Sequence, residues 1–111
     1  MTDQDINEKI ASKLFKYTII VMGDELFTVV KQEKKPLAKY ATSFTLAHSA
    51  MTRIRNSNFD FEMLPTIDAN TFITTFQVVI KRGNTPVASS KDSHLPRAIC
   101  LAICDLLDRA K

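Results

Sequence analysis

Apolar residues recur every three or four positions in three stretches of this chain and every second position in the stretches between them. These are the two periods that separate amphipathic helices from half-buried strands. Ile6, Ile10 and Leu14 step by four with Lys9, Ser12 and Lys13 turned away, which predicts a helix over about Asp3–Phe15. Thr2 and Asp5 match a capping box at its start. Tyr17 to Met22 is apolar and β-branched, Gly23-Asp24 follows, and Leu26 to Lys31 is β-rich again, the signal of a hairpin. Lys31 to Lys39 is the most polar stretch and contains Pro36, which predicts an exposed connection rather than a strand.

Leu46, Ala47, Ala50, Met51 and Ile54 return to helical spacing and predict a second helix over about Phe44–Asn56, with Thr42 or Ser43 as its N-cap. Phe59, Phe61 and Met63 alternate with Asp60 and Glu62 as a strand with one buried face. A turn is expected near Pro65 to Asn70. Thr71 to Lys81 then carries the longest strand signal, with Phe72, Phe76, Val78 and Ile80 on one face of what reads as a central strand. Gly83-Asn84-Thr85-Pro86 reverses the chain into a short strand, Val87 to Ser89, where Pro86 suits an edge or a strand start. The last segment predicts a helix over about His94–Ala110, with Pro96 in its first turn and a stripe of Ile99, Ala102, Ile103, Leu106 and Ala110. Cys100, Cys104 and Leu107 widen that apolar arc.

The element order is α-β-β-α-β-β-β-α, and its hairpin links favour an antiparallel sheet. The expected fold is a single compact α+β domain over residues 1–111, with a sheet of about four to five strands packed against three helices. At 45% hydrophobic and 24% charged residues the chain falls among ordinary globular domains rather than disordered or membrane proteins. No apolar run approaches the roughly 20 residues that cross a bilayer, and the opening Met1 to Asp5 lacks the basic and apolar regions of a secretory leader. A cytoplasmic location in a bacterial host cell, with no membrane partner, is therefore expected. The only cysteines, Cys100 and Cys104, form no framework of pairs and suit a reducing compartment.

Candidate chemistry changes this picture little. Cys100, Cys104 and His94 are the sole set resembling metal ligands, and both thiols lie among apolar residues of a helix that must be mostly buried. His48 and His94 stand in no local motif with a cysteine, and Gly23 and Gly83 are both accounted for by turns, which leaves no glycine-rich phosphate loop. The expectation is a protein that is not an enzyme, with no catalytic residue, no metal and no cofactor.

Three segments carry a resemblance. Pro36 to Ala47 reads Pro-Leu-Ala-Lys-Tyr-Ala-Thr-Ser-Phe-Thr-Leu-Ala, Ser93 to Ala102 places Pro96 before Ala98-Ile99-Cys100-Leu101-Ala102, and Asp5 to Ala11 forms an opening helix. Together they cover about a third of the chain and resemble, in order, the phage ABA-sandwich domain family of small phage and prophage accessory proteins. The resemblance implies a setting, expression in a bacterium from a phage or mobile element, and transfers no functional residue. In that setting a compact protein without catalytic motifs is expected to act by binding a host protein or ribonucleoprotein complex, with inhibition of an antiviral defence system, CRISPR-like or other, as the leading expectation.

Binding surfaces are sought among charged positions. Lys31, Lys34, Lys35 and Lys39 place four positive charges in nine residues, and Tyr40 beside them is of the ring type enriched at hot spots. Arg53 and Arg55 on the outer face of the second helix are the reserve candidates. Net charge is only +3. Nucleic acid stays open as a partner because Ala88-Ser89-Ser90-Lys91 leading into an alanine-rich helix resembles the last strand and helix of a double-stranded RNA-binding domain, with Lys91 and Arg97 as the phosphate contacts. A homodimer formed through the wide apolar arc of the final helix or through a sheet edge is the third reading.

Overall fold

In the computed structural model, which describes residues 1–109, the chain opens with α1 (Asp3–Lys9), running on as a π-helical stretch over Ile10–Leu14. The capping box is present: the Thr2 hydroxyl accepts from the Asp5 amide at 3.1 Å and the Asp5 carboxylate accepts from the Thr2 amide at 3.2 Å. Lys16, at φ +61°, closes the helical segment, and the Tyr17 amide reaches back to the Ala11 carbonyl at 2.9 Å. This exit brings Phe15 and Tyr17 side by side just before the first strand.

Strands β1 (Thr18–Met22), β2 (Glu25–Val30) and β3 (Glu33–Pro36) form one antiparallel sheet in the order β1-β2-β3. Gly23, at φ +65° before Asp24, occupies the first position of the two-residue loop between β1 and β2, where a left-handed conformation matches the twist of the flanking strands. The strand β3 corrects the expected connection over Lys31–Lys39. Its two-residue turn is built from Lys31 at φ +50° and Gln32 at φ +68°, a conformation that Asn-Gly normally supplies. Neither residue advertises a turn, and the strand beyond it is polar and ends in proline, so the local signals pointed elsewhere.

After α2 (Phe44–Arg55), β4 (Asp60–Ile67), β5 (Thr74–Arg82) and β6 (Thr85–Asp92) form a second antiparallel sheet in the order β4-β5-β6, and α3 (Leu95–Arg109) completes the described chain. The fold is thus α+β with three helices, but its six strands divide into two three-stranded sheets rather than one of four to five. Ser43 is the N-cap of α2, its hydroxyl accepting from the Leu46 amide at 3.3 Å. Pro65 does not open a turn. It pairs with Phe76 on the edge strand β4, where a missing amide proton costs no ladder bond. The reversal begins at Asp68, whose carboxylate accepts from the Asn70 and Thr71 amides at 2.7 and 3.2 Å. That turn carries Phe72 through φ +59° and leaves it 81% exposed, so β5 starts at Thr74 and only Phe76, Val78 and Ile80 keep the expected inner face.

The strand β6 outruns its apolar signal by three residues at its far end. Ser90 and Asp92 face the helices there, and both are satisfied: the Ser90 hydroxyl donates to the Ala98 carbonyl, and Asp92 pairs with Arg97. α3 lies across β5 and β6, while α1 and α2 pack against it and α2 also reaches β4. Ala98, Ile99, Cys100, Ala102, Ile103 and Cys104 are all buried. Most of the wide apolar arc of α3 is therefore buried inside the molecule, with Leu106 and Leu107 partly exposed. Ala110, expected in its stripe, lies outside the described residues.

The strained Lys31-Gln32 turn yields a first prediction. Each non-glycine residue in the left-handed region costs on the order of 1 kcal/mol, so Gln32→Gly should raise the free energy of unfolding by about 0.5–1 kcal/mol, read from urea denaturation.

Candidate interaction surface

The first sheet stands off the core. Its main packing outside itself is β1 against the π-helical stretch, and the molecule measures 47 × 33 × 23 Å. Register fixes which side chains share each face. Ile19, Thr28 and Lys35 lie opposite one another on one side, with Val21 and Leu26 beyond. This is the inner side, because Ile19 packs against the core and Thr28 is buried, its hydroxyl donating to the Lys35 carbonyl at 3.4 Å. Ile20, Phe27 and Pro36 align on the other side, flanked by Val29 with Lys34 and by Met22 with Glu25. None of Ile20, Met22, Phe27 and Val29 packs against the core, and Met22 is 48% exposed. Ile20, Phe27 and Val29 are half-buried, so the outer side is a largely apolar, partly exposed sheet face off the core.

An open cleft of about 530 Å³ separates the sheet from α1. Leu26 and Leu37 line it, and Asp3, Asp24 and Glu25 outnumber Lys39 among its charges. A second uncovered apolar group, Ile67, Phe72 and Ile73, sits at the tip of the β4–β5 hairpin.

One joint holds the sheet to the body. Phe15 stacks on Tyr17 with ring centroids 5.5 Å apart and on Tyr40 at 5.6 Å, and the Arg53 guanidinium lies 5.8 Å over the Phe15 ring. Behind the stack the buried Asn7 side-chain oxygen accepts from the Ala41 amide at 2.9 Å, and the Cys100 thiol donates to the Tyr40 carbonyl at 3.3 Å. α1, the chain leaving β3 and α3 are tied together at two adjacent residues. Asn7 carried no signal in the sequence reading beyond its place in the opening helix.

The charged candidates separate in space. Lys31, Lys34, Lys35 and Lys39 are all exposed, yet Lys34 sits on the outer face, Lys35 on the inner one, Lys31 in the turn and Lys39 beside the cleft. They form no single patch. Tyr40 is 5% exposed, so the ring expected at the surface is a core residue, and burial with Tyr17 and Cys100 nearby pushes its hydroxyl up to about 12. Arg53 and Arg55 remain exposed on α2, each over an aromatic ring, Arg55 at 5.9 Å from Phe61. Lys91 is exposed on the edge strand β6. Arg97 is engaged internally: its Nε lies 2.9 Å from Asp3 and its Nη1 2.6 Å from Asp92, and Nη2 donates to the Met1 carbonyl. These carboxylates raise the Arg97 pKa and occupy the donors a phosphate would need.

Cys100 and Cys104 are free and buried, and among the described residues no three of His, Cys, Asp and Glu converge. Burial, reinforced by the neighbouring Cys104, pushes the Cys100 thiol up to about 12; burial likewise pushes Cys104 up to about 11 against a lowering by Lys9. A thiolate nucleophile is disfavoured at both. No helix among the described residues is long and apolar enough to cross a membrane.

The arrangement defines an α+β protein whose distinctive part is a projecting three-stranded sheet with a largely apolar face off the core. No protein-family model matches the chain, and no curated protein sequence is similar to it. Its structure is similar to the crystal structure of a phage protein from Bacillus cereus ATCC 14579, with a TM-score of 0.70 and 21% identity over 96% of this chain and 88% of that one. The likeness shows that this fold is one a phage protein carries.

Two predictions follow from the joint. Asn7→Leu leaves the buried Ala41 amide without an acceptor and should cost about 1–3 kcal/mol, with proteolysis between residues 31 and 39 accelerating before global unfolding. Stability should also fall in alkali. Above about pH 9 the unfolded chain releases thiol protons that Cys100 and Cys104 keep when folded, so each unit of rise favours unfolding until the folded groups titrate near 11 to 12. Denaturation midpoints measured from pH 7 to 11 should decline above 9, and less steeply in a Cys100→Ala, Cys104→Ala variant.

Proposed function

We propose that this protein acts without catalysis, as a phage or mobile-element accessory protein that binds a macromolecular partner through the outer face of its first sheet. The observation that carries the reading is the partly exposed row of Ile20, Met22, Phe27 and Val29, none of it packed on the core, on a sheet held away from the body. Contiguous apolar surface costs solubility, and retained patches mark interaction sites. The fold shared with a phage protein supports the setting, and the absence of converging ligands or an activated nucleophile among the described residues fits a binding role. The partner class is a host complex in the bacterial cytoplasm, with an antiviral defence assembly as the specific target. Lys34 beside Val29 and Glu25 beside Met22 lie on that face, so its rim carries one charge of each sign.

The double-stranded RNA reading keeps Lys91 exposed but has Arg97, the second of its two contacts, committed to Asp3 and Asp92. A protein face that sets an acid against Lys34 and a base against Glu25 is the better match to this row.

Expression of the parent in defence-positive hosts should raise phage plating efficiency and leave defence-negative hosts unaffected. Val29→Glu combined with Lys34→Glu should abolish the difference. Lys35→Glu, on the opposite face, should retain it and move stability by no more than about 0.5 kcal/mol. Equal plating in both hosts with the parent, or full protection by the Val29→Glu, Lys34→Glu variant, overturns the reading.

A further inference from the structure

Where β5 turns into β6, a groove of about 380 Å³ opens between that hairpin and the last turn of α3. Phe59, Pro86, Val87 and Leu106 form its apolar walls, and Arg82 and Arg109 are its charged residues. A break in register builds one of these walls. Lys81 pairs with Pro86 and Ile80 with Ala88, which leaves Val87 as the extra residue of a bulge. Its side chain packs against the core on the same side as the buried Ala88, where strict alternation would have sent it to the opposite face.

Both guanidinium groups are held in place and keep donors to spare. Arg82 lies 5.4 Å from the Phe59 ring centroid and forms no ion pair among the described residues. Arg109 donates through Nε to one Asp105 oxygen at 3.1 Å, while the other Asp105 oxygen accepts from the Ser89 amide at 3.3 Å. This ties Arg109 to β6 and leaves its terminal nitrogens without a partner among the described residues.

We infer that the groove binds a small amphipathic carboxylate, an aliphatic or aromatic acid whose apolar body lies on Phe59, Val87 and Leu106 and whose carboxylate is held by Arg82 and Arg109. Charge selects the anion, because two arginines and no acidic side chain line the groove among the described residues. Planar guanidinium groups suit a carboxylate through paired N–H donors. Apolar walls with a few convergent polar groups, in a volume of about 300 Å³ or more, are the make-up of small-ligand sites. The last carbonyls of α3 lie at the same end, and their partial negative charge opposes a doubly charged phosphate more than a carboxylate. The groove shares no residue with the outer face of the first sheet, so its occupancy is measured apart from the partner proposed above.

Amide NMR titration of the parent with octanoate, and separately with phenylbutyrate, should give saturable shifts concentrated at Arg82, Val87 to Ser89 and Leu106 to Arg109. Octanol, which keeps the chain and lacks the charge, should bind about tenfold or more weakly than octanoate. Arg82→Gln combined with Arg109→Gln should weaken octanoate binding by about tenfold or more, with the amide spectrum away from the groove unchanged. Absence of saturable shifts with either acid overturns the inference. So does octanol binding as tightly as octanoate, or octanoate binding that is indifferent to the double glutamine variant, because either result removes the arginines from recognition. Inorganic phosphate that saturates the same amides as tightly as octanoate also overturns it, since the apolar walls would then play no part.

Discussion

The bond from the Ala41 amide to the Asn7 side chain is the constraint on which the position of the first sheet depends. A buried backbone donor without a partner is expensive, and here the acceptor comes from a helix some thirty residues earlier. The neighbouring Tyr40 carbonyl is satisfied from a third element by the Cys100 thiol. With two adjacent peptide groups fixed in this way, the chain leaving β3 has one available path into α2. The Tyr17–Phe15–Tyr40 stack then sets the direction of the sheet relative to that path. The core holds the joint, and the joint holds the sheet.

Three segments singled out in the sequence meet at this joint. The opening helix supplies Asn7, the Pro36 to Ala47 stretch supplies Tyr40 and Ala41, and the Ala-Ile-Cys run supplies Cys100. Residues that looked like separate marks along the chain are parts of one packing solution. Tyr40 drew notice for its chemistry at the surface and turned out to matter for the same amphipathic character in the interior, where its ring stacks and its carbonyl accepts.

Elements with strong periodicity were legible in advance: all three helices, both glycine hairpins, the capping box and the inner face of β5 from Phe76 to Ile80. The failures share a physical origin in long-range satisfaction of locally unfavourable choices. A Lys-Gln pair adopts a turn that its own preferences oppose because β2 and β3 pair on either side of it. Ser90 and Asp92 extend a strand past its apolar pattern because α3 meets their polar atoms. Phe72 reads as buried on periodicity and is thrown outward by a carboxylate turn four residues earlier. The candidate surface was the least legible part, since a bare apolar face on a strand pair is written in the same residues as a covered one.

The two silent thiols have a practical consequence. Cys100 and Cys104 keep their protons well beyond neutral pH and lie inside the fold, so maleimide reagents have no native target while the protein stays folded. A single cysteine placed on any exposed strand position would take a fluorophore or spin label alone, and distances between the sheet and the body could be followed in an otherwise wild-type molecule.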